Sequence, residues 1–169
     1  RSLIDCTLEE AEKVINTNLL SHIWVIKAIL PSMIKNNYGH IVAISSLCGL
    51  EGIANLVPYC ATKFGVRGLM EALRKELDFY QKSSIKTTVL YPYVIDTGLA
   101  KNATIRFPSL FPILQPKEVA RYVMKCQRKD VYESTVPCHY GFLFNIAKSL
   151  PHKAQKILNE FAHVYIESE

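Results

Sequence analysis

Tyr59 and Lys63 form a Y-x-x-x-K pair, and the chemistry open to such a pair is proton transfer, because an ammonium beside a phenol favours the anion that can take up and return a proton. The pair alone carries little information: nine Tyr in 169 residues, with Lys at its frequency in this chain, give roughly 0.75 such pairs by chance. Placement adds what spacing cannot. Four residues make one helical turn, so both side chains share a helix face. Ser46 lies upstream at the carboxyl end of a β-branched apolar run, HIVAISS, which is where open α/β sheets place their ligands. Pro92 and Thr97 follow the next run, KTTVLY, at the same edge of the sheet.

The elements that must hold these residues are legible from pattern. Thr7 and Glu10 make a capping box that predicts a helix from about residue 8 to about residue 35. Its apolar positions Val14, Leu19, Ile23, Ile26, Ile29 and Leu30 recur at three- and four-residue steps, which predicts one buried stripe. Asn18 falls inside it, where an amide competes for backbone hydrogen bonds, so it is either a satisfied polar residue or one placed there for a reason. A turn at 36–39 leads to a buried strand at 40–46, a loop with Gly49 and Gly52, and a second helix over about 59–81 with Phe64, Leu69, Ala72, Leu73 and Leu77 as its apolar stripe. A second buried strand spans 86–91 and is stopped by Pro92. Strand, long helical crossover, strand is the parallel βαβ unit, so the expected class is α/β with a doubly wound parallel sheet.

Residues 93–115 read as one long irregular and apolar segment, the mark of a lid or binding loop or of a surface loop that packs its own apolar residues. A helix over 116–129 follows, with Lys117, Arg121, Lys125 and Arg128 on one face and Val119, Tyr122, Val123 and Cys126 on the other. A last strand is expected at 131–136, then a tail over about 140–169 broken at Pro151.

Composition bounds the rest. With 169 residues, 49% apolar and 21% charged, the chain can build one domain with a real core and does not fit a disordered profile. Net charge is +5, and seven of the cations fall in 101–129 against the single acid Glu118. That cluster is either a solvated basic face or a peripheral contact with an anionic membrane; no aromatic platform or recognition motif accompanies it, so nucleic acid is not expected. Five Cys without C-x-x-C or Cys/His ligand spacing point to a reducing compartment and to no metal site. No run of 18 apolar residues spans a bilayer, and a chain opening at Arg1 in the middle of a domain is expected to be a fragment or partial chain.

NTNLLSHIW, HIVAISS, YCATK and YPYVIDTG in this order resemble the classical short-chain dehydrogenases/reductases. The segments KNNYGHIVAISS, YCATKF, IKTT and FPSLFPILQPKEV are most similar to their epidermal retinol dehydrogenase and 17-beta-hydroxysteroid dehydrogenase group. The resemblance covers nearly the whole chain and implies the C-terminal part of a Rossmann-like domain. It further implies a catalytic tetrad of Asn18, Ser46, Tyr59 and Lys63, with Tyr59 as acid/base, Ser46 orienting the substrate oxygen, and Asn18 holding a water that links Lys63 to solvent. Tyr59, Lys63, Pro92, Val94 and Thr97 would bind NAD or NADP. Ser46, Leu99, Phe107, Leu110 and Phe111 would meet a lipophilic substrate such as retinol or a steroid, with residues 93–115 as the substrate loop. A homodimer through the two long helices is implied, as is a place on the cytosolic face of the endoplasmic reticulum membrane or of lipid droplets. Two departures stand out. The family's P-G is Pro92-Tyr93 here, and no G-x-G occurs among the seven glycines, so the phosphate-binding loop is missing and NAD is not distinguished from NADP. A truncated, inactive form that acts at most as an interaction partner is the alternative.

Overall fold

Helix α1 (Leu8–Ile15) starts where its capping box dictates: Thr7 Oγ1 accepts from the Glu10 N–H at 3.2 Å, and the Glu10 carboxylate accepts from the Thr7 N–H at 3.0 Å. The helix then widens into a π turn (Asn16–Leu20) before continuing as α2 (Ser21–Asn36), which ends at Asn37 in the left-handed region with φ 45°. Ser21 Oγ donates to the Thr17 carbonyl at 2.6 Å and so satisfies a backbone group at the loosened turn. The computed structural model describes residues 2–82, 84–97, 103–105, 107–109, 111–161 and 164–166. Leu99 and Leu110 of the expected substrate set, and Lys101 and Arg106 of the basic cluster, lie outside the described residues.

The sheet is built as β1 (Gly39–Ile44), helix α3 (Val57–Phe79), β2 (Ile85–Pro92), helix α4 (Pro116–Arg128) and β4 (Glu133–Val136), with all three strands parallel in the order β1-β2-β4. A short strand β3 (Ala103–Ile105) pairs antiparallel with β5 (Val164–Ile166), and helices α5 (His139–Ser149) and α6 (His152–Phe161) lie between β4 and β5, separated at Pro151 as expected. Alternation along β2 shows why the sheet is doubly wound. Val89 and Tyr91 pack with Val66, Met70, Leu73 and Leu77 of α3, whereas Leu90 packs with Val119 and Cys126 of α4. Both faces of β2 are therefore covered, and ligand access is left to the strand ends. At the amino end, His40 Nε2 and Thr88 Oγ1 lie 2.8 Å apart, and Thr88 donates to the Val131 carbonyl at 2.7 Å, a polar tie across the strands.

Three details differ from the sequence pattern. The predicted stripe on the first helix is not one buried face: Ile26 is its buried residue, Ile29 is 37% exposed, and Trp24 and Val25 are 60% and 59% exposed. Apolar residues circle α2 more widely than a single stripe, and only the sheet-facing side is covered. On α3, Phe64 and Ala72 are exposed while Leu73 and Leu77 are buried, because the covered face runs through Val66, Met70, Leu73 and Leu77. The segment expected to be irregular over 93–115 contains strand β3 (Ala103–Ile105), and its described ends are clamped. Asp96 N–H donates to the Leu114 carbonyl and Leu114 N–H to the Val94 carbonyl, each at 2.9 Å.

The segment Leu8–Asn36 has the length and mean hydropathy, 1.2, of a membrane span. Its Leu19, Ile26, Leu30, Met33 and Ile34 pack on the sheet core, while 6% of its most apolar 18-residue window is buried.

Candidate active site

Strand β1 delivers two serines past its last residue, and they do different things. Ser45 is buried: its N–H donates to the Leu90 carbonyl at 2.8 Å, continuing the sheet ladder, and its Oγ donates to the Lys63 carbonyl at 2.9 Å. Ser46 is extended, with φ −165° and ψ 165°, and its Oγ accepts from the Cys48 N–H at 3.2 Å, capping the 3-10 turn Leu47–Gly49. Pro58 sits in the first turn of α3, where a missing N–H costs nothing, and Tyr59 follows. Lys63, one turn on, sends Nζ back to donate to the Ile44 carbonyl at 3.2 Å. The residue is thus held at both ends, by its side chain on Ile44 and by its main chain on Ser45.

That clamp depends on close approach. A Cβ on Gly49 would stand 2.5 Å from Ser45 Oγ and 2.7 Å from the Lys63 carbonyl oxygen, so only glycine lets the 3-10 turn lie against α3 there. Gly65 does the same on the far side, where a Cβ would be 2.8 Å from Leu19 Cδ2 in the π turn. Asn18 is accordingly carried by the π turn that rests on α3 two residues from Lys63, and π turns are frequent at functional sites.

The electrostatics follow from burial. Burial pushes the Tyr59 phenol above its usual range; a hydrogen bond with Ser46 pulls it down, and neighbouring Cys48 and Cys60 push it further up. Lys63 Nζ lies over the Tyr59 ring, 5.5 Å from its centroid, and therefore interacts with the ring face more than with the phenolic oxygen. Burial also holds the Lys63 ammonium below its ordinary value, opposed by Cys48. The Cys48 thiol is pushed up to about 12 by burial, which keeps it an uncharged packing group.

Pro92 ends β2 and is buried; Val94 is half-buried with its carbonyl taken by Leu114; Thr97 is exposed, its Oγ1 3.5 Å from the Ile95 carbonyl. Tyr93 has no left-handed backbone, so the departure from P-G needs no glycine conformation. Of the expected substrate residues, Phe107 is half-buried, and Phe111 packs on Tyr93 and Tyr140 with ring centroids 6.1 and 5.5 Å apart. Phe111 is half-buried against the core. Ser45 escaped the reading of the sequence although the two-residue alternation Ile41, Ala43, Ser45 marks it as inward; Gly49 carried no such local signal.

A parallel sheet whose strand ends gather a hydroxyl, a phenol and an ammonium defines an α/β domain equipped for proton transfer. The short chain dehydrogenase family matches residues 2–106, and the chain belongs to that family. Human 17-beta-hydroxysteroid dehydrogenase 13 is 38% identical over 160 residues, covering 95% of this chain and 52% of the relative. Mouse epidermal retinol dehydrogenase 2 is 34% identical over 169 residues, covering 100% and 55%, and estradiol 17-beta-dehydrogenase 11 of Pongo abelii is 36% identical over 149, covering 88% and 49%. The chain spans about half the length of the curated relatives it matches.

Gly49→Ala should lower stability by about 1–3 kcal/mol through overpacking against backbone, whereas Gly52→Ala, with nothing within 4 Å of its Cβ, should leave it nearly unchanged. Urea midpoints at equal m-value measure the difference, and equal midpoints for the two variants would remove the close-approach argument.

Proposed function

We propose that this chain carries the proton-transfer half of an NAD(P)-dependent oxidoreductase acting on a lipophilic alcohol or ketone of the retinol or steroid class. The observation that supports it is the convergence of Ser46, Tyr59 and Lys63 at the strand ends, inside a family that generally uses NAD(P). The names of the relatives, which include a retinol dehydrogenase and 17-beta-hydroxysteroid dehydrogenases, favour that substrate class.

The residues present suit the nicotinamide end of such a cofactor. Lys63 offers an ammonium donor, and Pro92, Val94 and Thr97 stand at and just past the end of β2. No glycine-rich phosphate loop occurs in these 169 residues. When bound, the nicotinamide supplies the hydride acceptor or donor. Ser46 orients the substrate oxygen, and Tyr59 takes the hydroxyl proton in oxidation or returns it in reduction. Lys63, fixed by Ile44 and Ser45, supplies the positive charge near the phenol, and Asn18 orders water behind Lys63. The apolar walls for the substrate fall to the 93–115 segment, with Phe107 and Phe111, both half-buried, among them.

The alternative reading is an inactive form whose role is association. Absence of detectable NAD(H) or NADP(H) binding by these residues would support that reading. For the active reading, Tyr59→Phe in the full-length protein should lower kcat for retinol oxidation by roughly 10²-fold or more with the fold retained; wild-type turnover in that variant would refute the assignment.

Two further proposals concern partners. Trp24, Val25 and Phe64 leave apolar surface open on both long helices, and we assign this surface to a homodimer contact. Sedimentation velocity should show a dimer that Trp24→Glu converts to monomer; a wild-type monomer would dismiss the contact. Lys117, Arg121, Lys125 and Arg128 of α4, with Lys129 just after it, line a shallow outer face around Ala120 and Met124. This face is assigned to peripheral contact with anionic lipid on the cytosolic side of the endoplasmic reticulum or of lipid droplets. Flotation with vesicles containing phosphatidylserine should exceed flotation with neutral vesicles and fall with salt; no response to lipid charge would remove the contact.

A further inference from the structure

Helix α5 runs across the carboxyl ends of all three parallel strands, where open α/β sheets hold their ligands. Its first turn follows the end of β4, and Tyr140 packs edge-on against Tyr93 just past β2, with ring centroids 5.4 Å apart. Lys148 reaches the loop after β1, where Nζ donates to the Leu50 carbonyl and pairs with the Glu51 carboxylate at 3.6 Å. Tyr140, Phe144 and Lys148 stand four residues apart, so one helix face carries two aromatic rings and the ammonium. Phe144 packs on the same apolar cluster as Leu50, Tyr93 and Phe111. The 11 residues of α5 measure about 16 Å along the axis, enough to cross three strands set about 4.8 Å apart.

The two ends of α5 are held differently. At the root, Thr135 Oγ1 accepts from the Gly141 N–H at 2.7 Å and donates to the Pro137 carbonyl at 2.8 Å, next to the end of β4. At the far end, Gln155 of α6 donates from Nε2 to the Lys148 and Leu150 carbonyls at 3.0 and 2.7 Å, which steadies the backbone that carries Lys148. The polar hold on the β1 loop is made by the Lys148 side chain, 44% exposed against 35% for Glu51. An ion pair open to water is weak and reversible, so the helix is hinged at β4 and latched at the loop after Ser46. Beside Tyr140, Tyr93 Oη is buried with no hydrogen-bond partner among the described residues, and such an atom calls for a ligand or a water. We propose that α5 is the roof of the substrate site and that Lys148 is the positioning residue that latches it over the strand ends. The inference rests on the oxidoreductase reading. Lys148 acts by keeping Tyr140 and Phe144 over the bound apolar molecule, and release of the latch lets substrate in and product out. The latched form is the binding-competent one, so weakening the latch lowers apparent affinity by the fraction of molecules left open.

In the full-length enzyme, Lys148→Met should raise KM for retinol about fivefold with kcat little changed. Lys148→Arg, which can donate to the same two acceptors, should restore most of the affinity. Independently of turnover, backbone hydrogen exchange over 142–149 should quicken in Lys148→Met and stay slow in Lys148→Arg, with exchange in β2 and α3 as in the wild type. Lys153→Met, which removes a cation of α6 instead, should leave both KM and exchange unchanged. If Lys148→Met keeps wild-type KM and exchange, or if Lys153→Met raises KM as much, the latch is wrong while the oxidoreductase reading stands. Quickened exchange with an unmoved KM makes α5 a structural strap and overturns the roof. A wild-type enzyme without NAD(P)-linked turnover of retinol or estradiol overturns the oxidoreductase reading and the roof together, whatever the exchange shows.

Discussion

The candidate site depends on the tethering of one residue at both ends. The side chain of Lys63 is drawn to the Ile44 carbonyl and its main-chain carbonyl to Ser45 Oγ, so the first turns of α3 are joined to the end of β1 by two hydrogen bonds that span the loop between them. Everything else at the site is referred to that junction. Ser46 is the residue after the tether and Tyr59 lies one helical turn before it; the π turn bearing Asn18 rests two residues after it. A half-buried ammonium gains from a hydrogen-bond partner, and a carbonyl at the sheet edge supplies one.

Two glycines make the junction possible from opposite sides. Gly49 admits the 3-10 turn against the backbone of α3, and Gly65 admits Leu19 of the π turn. The sheet supplies the complementary restraint: β2 is buried on both faces through Val89 and Tyr91 on one side and Leu90 on the other, so neither face offers a surface for chemistry. Side chains that must meet solvent or a ligand are left the carboxyl ends of the strands, where Ser46 and Pro92 stand.

What the sequence made legible was local. The start of α1 was readable because Thr7 and Glu10 close a capping box within four residues, and the break before α6 because Pro151 cannot continue a helix. The strands were readable because runs such as KTTVLY are too apolar and too β-branched for anything but a covered sheet. The π turn was not readable from local spacing, and its contact with α3 at Gly65 lies far along the chain. The clamp of Ile95 on Leu114 and the capture of Phe111 by Tyr93 and Tyr140 are likewise non-local. Periodicity also could not tell which apolar positions of α2 find cover: Ile26 and Ile29 satisfy the same pattern, yet only Ile26 faces the sheet.

The electrostatic state of Tyr59 explains why neighbours at several distances matter. Burial raises the phenol and lowers the ammonium, so the same desolvation that would strengthen their attraction first works against the charged form of each. With Nζ over the ring face and bonded to Ile44, Lys63 is not among the groups that shift the phenol; Ser46, through its hydrogen bond, is the one that lowers it. Making a phenol tenfold more acidic takes about 1.4 kcal/mol of preference for its anion, so bringing it into the physiological range takes several such contributions acting at once. A further positive charge at the end of β2, where Pro92 and Thr97 lie, would complete the set. In the proposed reaction, activation of Tyr59 is conditional on that charge being bound, since burial alone favours the protonated phenol.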